Sequence, residues 1–574
     1  MEFNLVTERW IPVLRRDGEE DMLAPWQVTD GYDSNPVVSL NSPRADFNGA
    51  LMQFLIGLLQ TVAAPQDEDE WEDFFEDPPG PEILKEKFLE VSHAFELLGN
   101  GPRFMQDIEE LDVEPLSVGS LLIDAPGENT LKNNLDHFVK RGLVNVMCPP
   151  CCAAAIFTLQ TNAPSGGAGH RTSLRGGGPL TTLVKSGSSG EGTLWRDVWL
   201  NVLEEDVFLR RCGNPEKKDD ADIFPWLVKT RTSEKGKGSG ITPEDVHPAY
   251  MFWAMPRRIR LDIDDMEDGT CNLCGGTSGK LVRSYKTKNY GNHYQGHWRH
   301  PLSPYYRGRK GELLPVHGQP GGVTYRHWLG LVQEDRESGK EPAYVVHAFR
   351  LKRQQGDRGF RLHAFGYDMD KMKARCWYEG TMPLILLPDK LRHTYERSVE
   401  GMVRAAYVVA KNLSASVKHA LFYKVKEIDK AGYPVWEAPR QVEKKIKDKT
   451  IFNQLDDKFW QDAEREFYTA LSQLDDKFWQ DTESEFYTAL AAIKSSLENG
   501  RDSLEIRKQW HRTLCRVAEE IFDFLVCNGP VEEADPRRIV FARRELAGRN
   551  NSKKVKIDML DLPVHEKKTR KEEA

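Results

Sequence analysis

Two pairs of cysteines carry the clearest chemistry in the sequence. Cys148-Pro-Pro-Cys151 and Cys271-Asn-Leu-Cys274-Gly-Gly each place two thiols three positions apart, a spacing that lets both sulfurs turn toward one ion. Four thiolates suit a closed tetrahedral Zn²⁺ site that staples structure and leaves no open position for catalysis. Residues 152–270 separate the pairs, so the fold has to bring them together. Disulfide exchange at Cys-Pro-Pro-Cys is the rival reading, but no thioredoxin-like βαβ pattern surrounds it. Cys152, beside the first pair, reads as a bystander.

A second stretch, APSGGAGHRTSLRGGGPLTT at 163–182, joins clustered glycines to two arginines and a histidine without any acid. Residues this small let bare backbone amides approach a ligand closely, anions included. No Lys-Ser/Thr pair follows at P-loop spacing and no G-x-G-x-x-G is present, so the usual nucleotide cradles are excluded. From the residues alone, a structural turn and a contact loop stand about equal. Catalytic patterns are sparse. His297-x-x-His300 lacks the glutamate of a zinc protease helix, and Asp262, Asp264 and Asp265 have no evident metal partner. No Gly-x-Ser-x-Gly elbow occurs. The pattern points away from an enzyme; the alternative is a metal-dependent nucleic-acid-processing enzyme built on those three aspartates and two histidines.

The elements that must position these residues belong to a long, charged chain. It has 574 residues, 39% hydrophobic and 29% charged, with a net charge of −9; this length exceeds one hydrophobic core. No apolar run reaches the roughly 18 residues that a membrane span needs. Its first residues read as a strand, not a signal peptide. Nine cysteines, an odd number gathered into close pairs, fit metal ligation in a reducing cytoplasm. Charge is segregated. Residues 66–77 are strongly acidic, whereas 275–310 carries eight Lys/Arg, no Asp/Glu and six aromatics, and 349–363 is basic again. Basic, aromatic-laced segments on an acidic body fit a local nucleic-acid contact.

The expected fold class is α+β. A large mixed N-terminal domain over 1–383, stapled by the four-cysteine zinc site, precedes a C-terminal four-helix bundle over 384–550 and a weakly ordered tail, 551–574. Within the first domain, strands are expected at 5–13, 343–351 and 359–365, and a buried helix at 43–63, where the run is apolar nearly all round. Helices are expected to open at Pro388-Asp389, at an Asp502/Glu505 capping box and at Asp535-Pro536. QLDDKFWQDAEREFYTAL (454–471) recurs as QLDDKFWQDTESEFYTAL (473–490). The apolar stripe Leu455, Phe459, Ala463, Phe467, Leu471, Leu474, Phe478, Thr482, Phe486, Leu490 crosses the junction at helical spacing, which fits a tandem duplication within one helix.

Taken in order, FNLVTERWIPV, PRFMQD (102–107), CPPCCAAAIFTLQTNAPSGGAGHRTSLRGGGPLTTLV, and CNLCGG followed by HWRHPLSPY (297–305) resemble the CasA family, the Cse-type large subunit of the type I-E CRISPR Cascade complex. The resemblance implies a non-enzymatic subunit of a crRNA-guided antiviral complex, partnered by the other Cascade subunits and crRNA. Guide pairing then reads the target, and this subunit reads the short PAM in double-stranded DNA. It also implies duplex opening and a docking surface for a trans-acting helicase–nuclease. The family's minor-groove loop falls on Ser165, Gly166, Gly167, Ala168 and Gly169, with alanine in place of one glycine. Its second PAM-contacting loop falls on Phe138, Val139 and Lys140, with lysine in place of asparagine. Its PAM-contacting lysine falls on Asn289 by ungapped counting, with Lys286 and Lys288 beside it. Its duplex wedge is a β-hairpin after Gly366-Tyr367 whose tip spans 368–373; Lys371 or Met372 stands where the family has glutamine.

Overall fold

A computed structural model describes residues 2–133, 136, 142–187, 192–234, 240–352, 359–370, 373–430, 434–437, 454–527 and 535–563, the backbone alone at 128–129, 422, 454–473 and 527. The chain forms two compact units, one of Met1–Val323 with Gly330–Leu384, the other of Thr324–Leu329 with Ile385–Ala574.

The core of the first unit gathers on the helix Ala45–Val62. Its run FNGALMQFLIGLLQ is apolar on every face, and the helix is buried almost throughout. Phe54 sits at the centre. Its ring meets Trp10, Phe95, Phe104, Phe157 and Trp253 edge-on at centroid distances of 5.4–5.9 Å, the arrangement that ring quadrupoles favour. The PRFMQD motif is part of this interior. Asp107 is wholly buried, paired with Arg258 at 2.5 Å and accepting from Thr230 at 3.1 Å. Arg103 donates to the carbonyls of Gly99 and Leu261, and the amide of Gln106 bridges Leu97 and Leu261. These polar residues are retained because each buried group finds a partner.

Small antiparallel sheets surround the core. Arg361–Asp370 and Lys373–Pro383 pair as a long hairpin, and Thr181–Lys185 adds a third strand. Ser284–Lys288 runs between Leu116–Ser117 and Arg258–Leu261. Met266–Thr270 pairs with Thr277–Val282.

Several expectations from sequence need correction. Residues 343–351 are not a strand: Tyr344–Lys352 is a helix, and Val345, Val346, Ala348 and Phe349 bury one face of it, a 3.6-residue period and not a two-residue one. Over 5–13, Leu5 and Val6 lie in a turn and the strand is Ile11–Arg15. The aromatics of 275–310 are mostly interior. Tyr285, Trp298 and Tyr305 are buried, and Tyr294 packs between Tyr250 and Trp298. These four serve the core, while Tyr306 is exposed.

The second unit is helical. Asp389–Phe422 packs against Gln454–Glu498, Leu504–Cys527 and Pro536–Asn550. Asp535 caps the last of these by accepting from the Arg537 amide, with Pro536 in the first turn. The helix expected to open on an Asp502/Glu505 box begins at Leu504; those two carboxylates pair instead with Arg507 and Lys508. The repeat lies in one continuous helix. Leu474, Phe478, Thr482, Phe486 and Leu490 of its second copy are all buried, while the stripe residues of the first copy lie outside the described side chains. Segment 324–329 belongs to this unit. Tyr325 stacks on Phe486 at 4.3 Å, meets Trp479 and Trp510 edge-on, and shares a 2.7 Å hydrogen bond with Thr482. Lys554–Met559 forms a short π-type helix, and Val555, Leu560 and Leu562 are buried. These three apolar side chains anchor a segment otherwise rich in lysine; 564–574 lies outside the described residues.

Candidate metal centre and nucleic-acid interface

Cys148 is the N-cap of the helix Pro149–Asn162, whose first turn holds both prolines and Cys151. Proline suits this position because the amide it lacks has no partner in a helix's first turn, and the helix terminus favours thiolate character. Cys271 and Cys274 lie in the turn between Met266–Thr270 and Thr277–Val282. Asn272 joins the two knuckles: its side-chain oxygen accepts from the amides of Asn145 and Val146, and its own amide donates to Val146. Reciprocal backbone bonds between Met147 and Val282 complete the seam.

The four sulfurs lie within 4.8 Å of one another, with Cys148 and Cys274 at 3.6 Å. A tetrahedral zinc with bonds of about 2.3 Å needs sulfurs about 3.8 Å apart, so the donor set fits a metal ion. Amides also point at the sulfurs, Cys148 N–H at Cys271 and Gly276 N–H at Cys274, both at 3.4 Å. Hydrogen bonds from Cys148 and Cys151 hold Cys271 and Cys274 below the ordinary thiol range. Contacts with Cys148 and Cys271 push Cys151 up. Cys152 is wholly buried, its thiol directed at the Met147 carbonyl.

The same helix delivers the glycine loop from its C-terminal end. Ser165, Gly167 and Ala168 are exposed, and Gly166 and Gly169 half-buried. The loop closes through the His170 amide, which donates to Gly167 O at 3.1 Å. Gly169 has φ +81°, and a Cβ there would stand 2.9 Å from Asn289 Cβ and 3.0 Å from the Tyr290 ring. Both a left-handed backbone and a close neighbour therefore require glycine. At Gly167 a Cβ would meet nothing within 4 Å; the protein's own packing leaves that position free. A second glycine run backs the loop. A Cβ on Gly177 would lie 3.1 Å from Ser165 N, and one on Gly178 would lie 2.5 Å from Met369 on the hairpin.

The structure brings Asn289 to this loop and gives it a supporting part. Its side-chain amide donates to Ala168 O at 3.0 Å, and the Tyr290 amide donates to Gly169 O at 2.9 Å. Lys286 and Lys288 sit two residues apart on the preceding strand and so share one face; Lys286 is half-buried and Lys288 exposed. The Glu109 carboxyl is held below its usual range by Lys229, with Arg258 and Lys288 adding to the effect. Phe138, Val139 and Lys140 lie outside the described residues, as do Lys371 and Met372. Around the latter pair, the hairpin strands end at Asp370 and Lys373. Asp368, expected at the tip, is part of the stem: it is buried, faces Cys376 and pairs with Arg375 at 2.7 Å.

The residues of the alternative enzyme do not converge. Asp262 accepts from the Asp264 amide, and Asp265 accepts from Ser284. His300 is buried, Nδ1 accepting from the Leu302 amide, and burial pushes its pKa well down. Among the described residues, the four cysteines are the one group of three or more side chains placed to hold a metal.

Sequence reasoning missed Asn272, and it missed Arg257, which donates to the Pro164 carbonyl and meets the His170 ring at the two ends of the glycine loop. Asn272 was visible inside the knuckle, but nothing in its type signals a seam. Arg257 carries no local signal, because its partners are distant in sequence.

The family model for CRISPR-associated protein Cse1 matches residues 4–521. Among solved structures, Thermobifida fusca Cse1 is similar at 19% identity and TM-score 0.65, over 96% of this chain and 98% of that one. Cse1 from Acidimicrobium ferrooxidans matches at 16% identity and TM-score 0.64, over 96% and 99%. A chain of a CRISPR RNA-guided surveillance complex matches at 14% identity and TM-score 0.60, over 96% and 100%.

Proposed function

This chain belongs to the Cse1 (CasA) family of the type I-E Cascade complex, and from that premise we propose that it is the subunit that reads the PAM in duplex DNA and starts its opening. The observation that supports this reading is the loop 165–169. It is held by bonds from Asn289 and Tyr290 while Gly167, at its outer turn, has space for a partner's surface. A backbone this bare fits a minor groove, where a larger side chain would be excluded. Lys288 and Lys286 stand on the adjoining strand to take phosphates, the commoner use of lysine at DNA.

In this reading the hairpin 361–383 carries the duplex wedge at Lys371 and Met372, and Phe138, Val139 and Lys140 form a second PAM contact. The cysteine cluster holds a structural zinc that fixes the root of the helix carrying the loop. The helical unit acts as a four-helix bundle over 384–550, distinct from the mixed domain over 1–383. Other Cascade subunits and crRNA are the partners, a trans-acting helicase–nuclease docks on the assembled complex, and the chain itself cleaves nothing.

The test is target binding by the reconstituted complex carrying Gly167→Asp. Bulk and negative charge in that open space should cost tenfold or more in PAM-dependent affinity, about 1.4 kcal/mol, comparable to one mismatched base pair. Complex assembly should be retained. Indifference of target affinity to this change would reduce the loop to a turn.

A further inference from the structure

Arg257 precedes the strand Arg258–Leu261 and reaches the glycine loop at both of its ends. One terminal nitrogen donates to the Pro164 carbonyl, where the chain leaves the helix Pro149–Asn162. The other lies 2.6 Å from Nδ1 of His170, where the loop closes. The backbone of Arg257 is itself fixed: Gln160 accepts from its amide and donates to its carbonyl. Gln160 is wholly buried on the helix that feeds the loop. Among the described residues no carboxylate pairs with this guanidinium, whose pKa burial lowers to about 10. Arg257 is half-buried, and drawing a cation partly out of water without a counter-ion is costly, so the position needs a reason beyond general packing.

We infer that Arg257 is the positioning residue of the loop, a strut that holds Pro164 and His170 at a fixed separation so that residues 165–169 present one backbone conformation to DNA. The inference rests on the reading of the loop as a DNA contact. It assigns His170 a definite state: Arg257 has donors only, so Nδ1 must be the unprotonated acceptor. Arg257 is the charged group facing His170; the imidazole also lies against Gly166, where an added Cβ would stand 2.7 Å from it. Partial withdrawal of the ring from water, and then Arg257, lower the His170 pKa from its ordinary 6.5. The unfolded or detached loop therefore binds more protons than the seated one, and the strut weakens as pH falls below 6.5, not as it rises.

The experiment uses the full complex with crRNA and measures affinity for a PAM-bearing duplex and for the complementary single strand, which presents no duplex groove. Arg257→Met should weaken duplex binding by about tenfold or more, the loss of a charge-assisted hydrogen bond, with single-strand binding reporting intact assembly. His170 is exposed, so its variants fold even if Arg257→Met does not. His170→Leu, which removes the acceptor, should lower duplex affinity; His170→Asn, whose side-chain oxygen stands near the place of Nδ1, should recover most of that loss. Wild-type duplex affinity should fall between pH 7 and 5.5, and His170→Asn should flatten the profile. Equal behaviour of the leucine and asparagine variants, or a pH profile that the asparagine variant leaves unchanged, would overturn the inference. Gly167→Asp, measured in parallel, separates the two failures. If it weakens duplex binding while the strut variants do not, only Arg257's part is wrong; if it too is silent, the loop does not touch DNA.

Discussion

Gly167 and Gly169 lie two residues apart, and adding one methyl group should act on the loop's seating at Gly169 but not at Gly167. At Gly169 alanine would have to hold φ near +81°, costing about 1–2 kcal/mol. Its Cβ would also stand 2.9 Å from Asn289 Cβ, and overpacking of this kind costs about 1–3 kcal/mol where neighbours cannot yield. Together these give about 2–5 kcal/mol against the seated loop. The loop is at the surface, so it should relieve the strain by leaving its seat and giving up the Asn289–Ala168 hydrogen bond, worth about 1 kcal/mol. Thermal melting should then shift little while PAM-duplex affinity falls tenfold or more. At Gly167, where nothing lies within 4 Å and φ is ordinary, alanine should leave stability unchanged. Any loss of duplex affinity there reports contact with DNA directly. Melting curves and duplex titrations of the two variants decide the matter. Full duplex affinity in Gly169→Ala would refute the claim that the seated conformation is the one that binds.

Other outcomes follow from the same geometry. Metal analysis of purified protein should find about one zinc per chain, and Cys271→Ser or prolonged chelation should lower the melting temperature, since structural zinc contributes directly to folding free energy. Replacing Lys371 and Met372 together by glycine should slow opening of a fully paired target. The same variant should act normally on DNA already mismatched beside the PAM; an equal defect on both targets would rule out a wedge. In the helical unit, burial opposes ionisation of Glu545, but hydrogen bonds from His419 and Trp436 prevail and hold its pKa below 4.5. Stability from this group should therefore be present above pH 4.5 and be lost as pH falls through the lower folded value, and acid melts of Glu545→Gln should lack that slope. Phe486→Ala, which empties the stack beneath Tyr325, should cost about 3–5 kcal/mol in chemical unfolding.

Much of this was legible because certain residues act locally. Pro388-Asp389 and Asp535-Pro536 mark helix starts by the geometry of their own backbones, and Cys-x-x-Cys pairs announce a shared ligand whatever separates them in sequence. Periodicity was less reliable where the apolar residues were few: 343–351 contains Val345-Val346, and adjacent β-branched residues imitate a strand even when the buried face repeats every 3.6 positions. Over 275–310 composition shows aromatics beside lysines but not which of them face solvent: Tyr285 and Trp298 fill the interior, whereas Lys288 is exposed. The strut at Arg257 could not be read at all. It joins Gln160, Pro164 and His170 to a residue about ninety positions away, and no spacing rule encodes that.

Residues 324–329 have a consequence for how the protein can be divided. The chain passes from the mixed unit into the helical one at Thr324, returns at Gly330, and leaves again after Leu384. A fragment beginning at Ile385 would lack Tyr325, whose ring fills the space among Trp479, Phe486 and Trp510, and Arg326, which pairs with Asp475 and Asp476. The complementary fragment would keep a six-residue strip with its aromatic side chains stripped of cover. Cutting after Leu384 therefore yields two incomplete pieces, not two autonomous modules. During synthesis, the strip emerges about sixty residues before the first long helix that will receive it begins, so the second unit cannot close until a piece of chain made much earlier is threaded back into it. Loss or gain of the helical unit by simple gene fusion at residue 384 is disfavoured for the same reason: the recipient would need to carry the strip already.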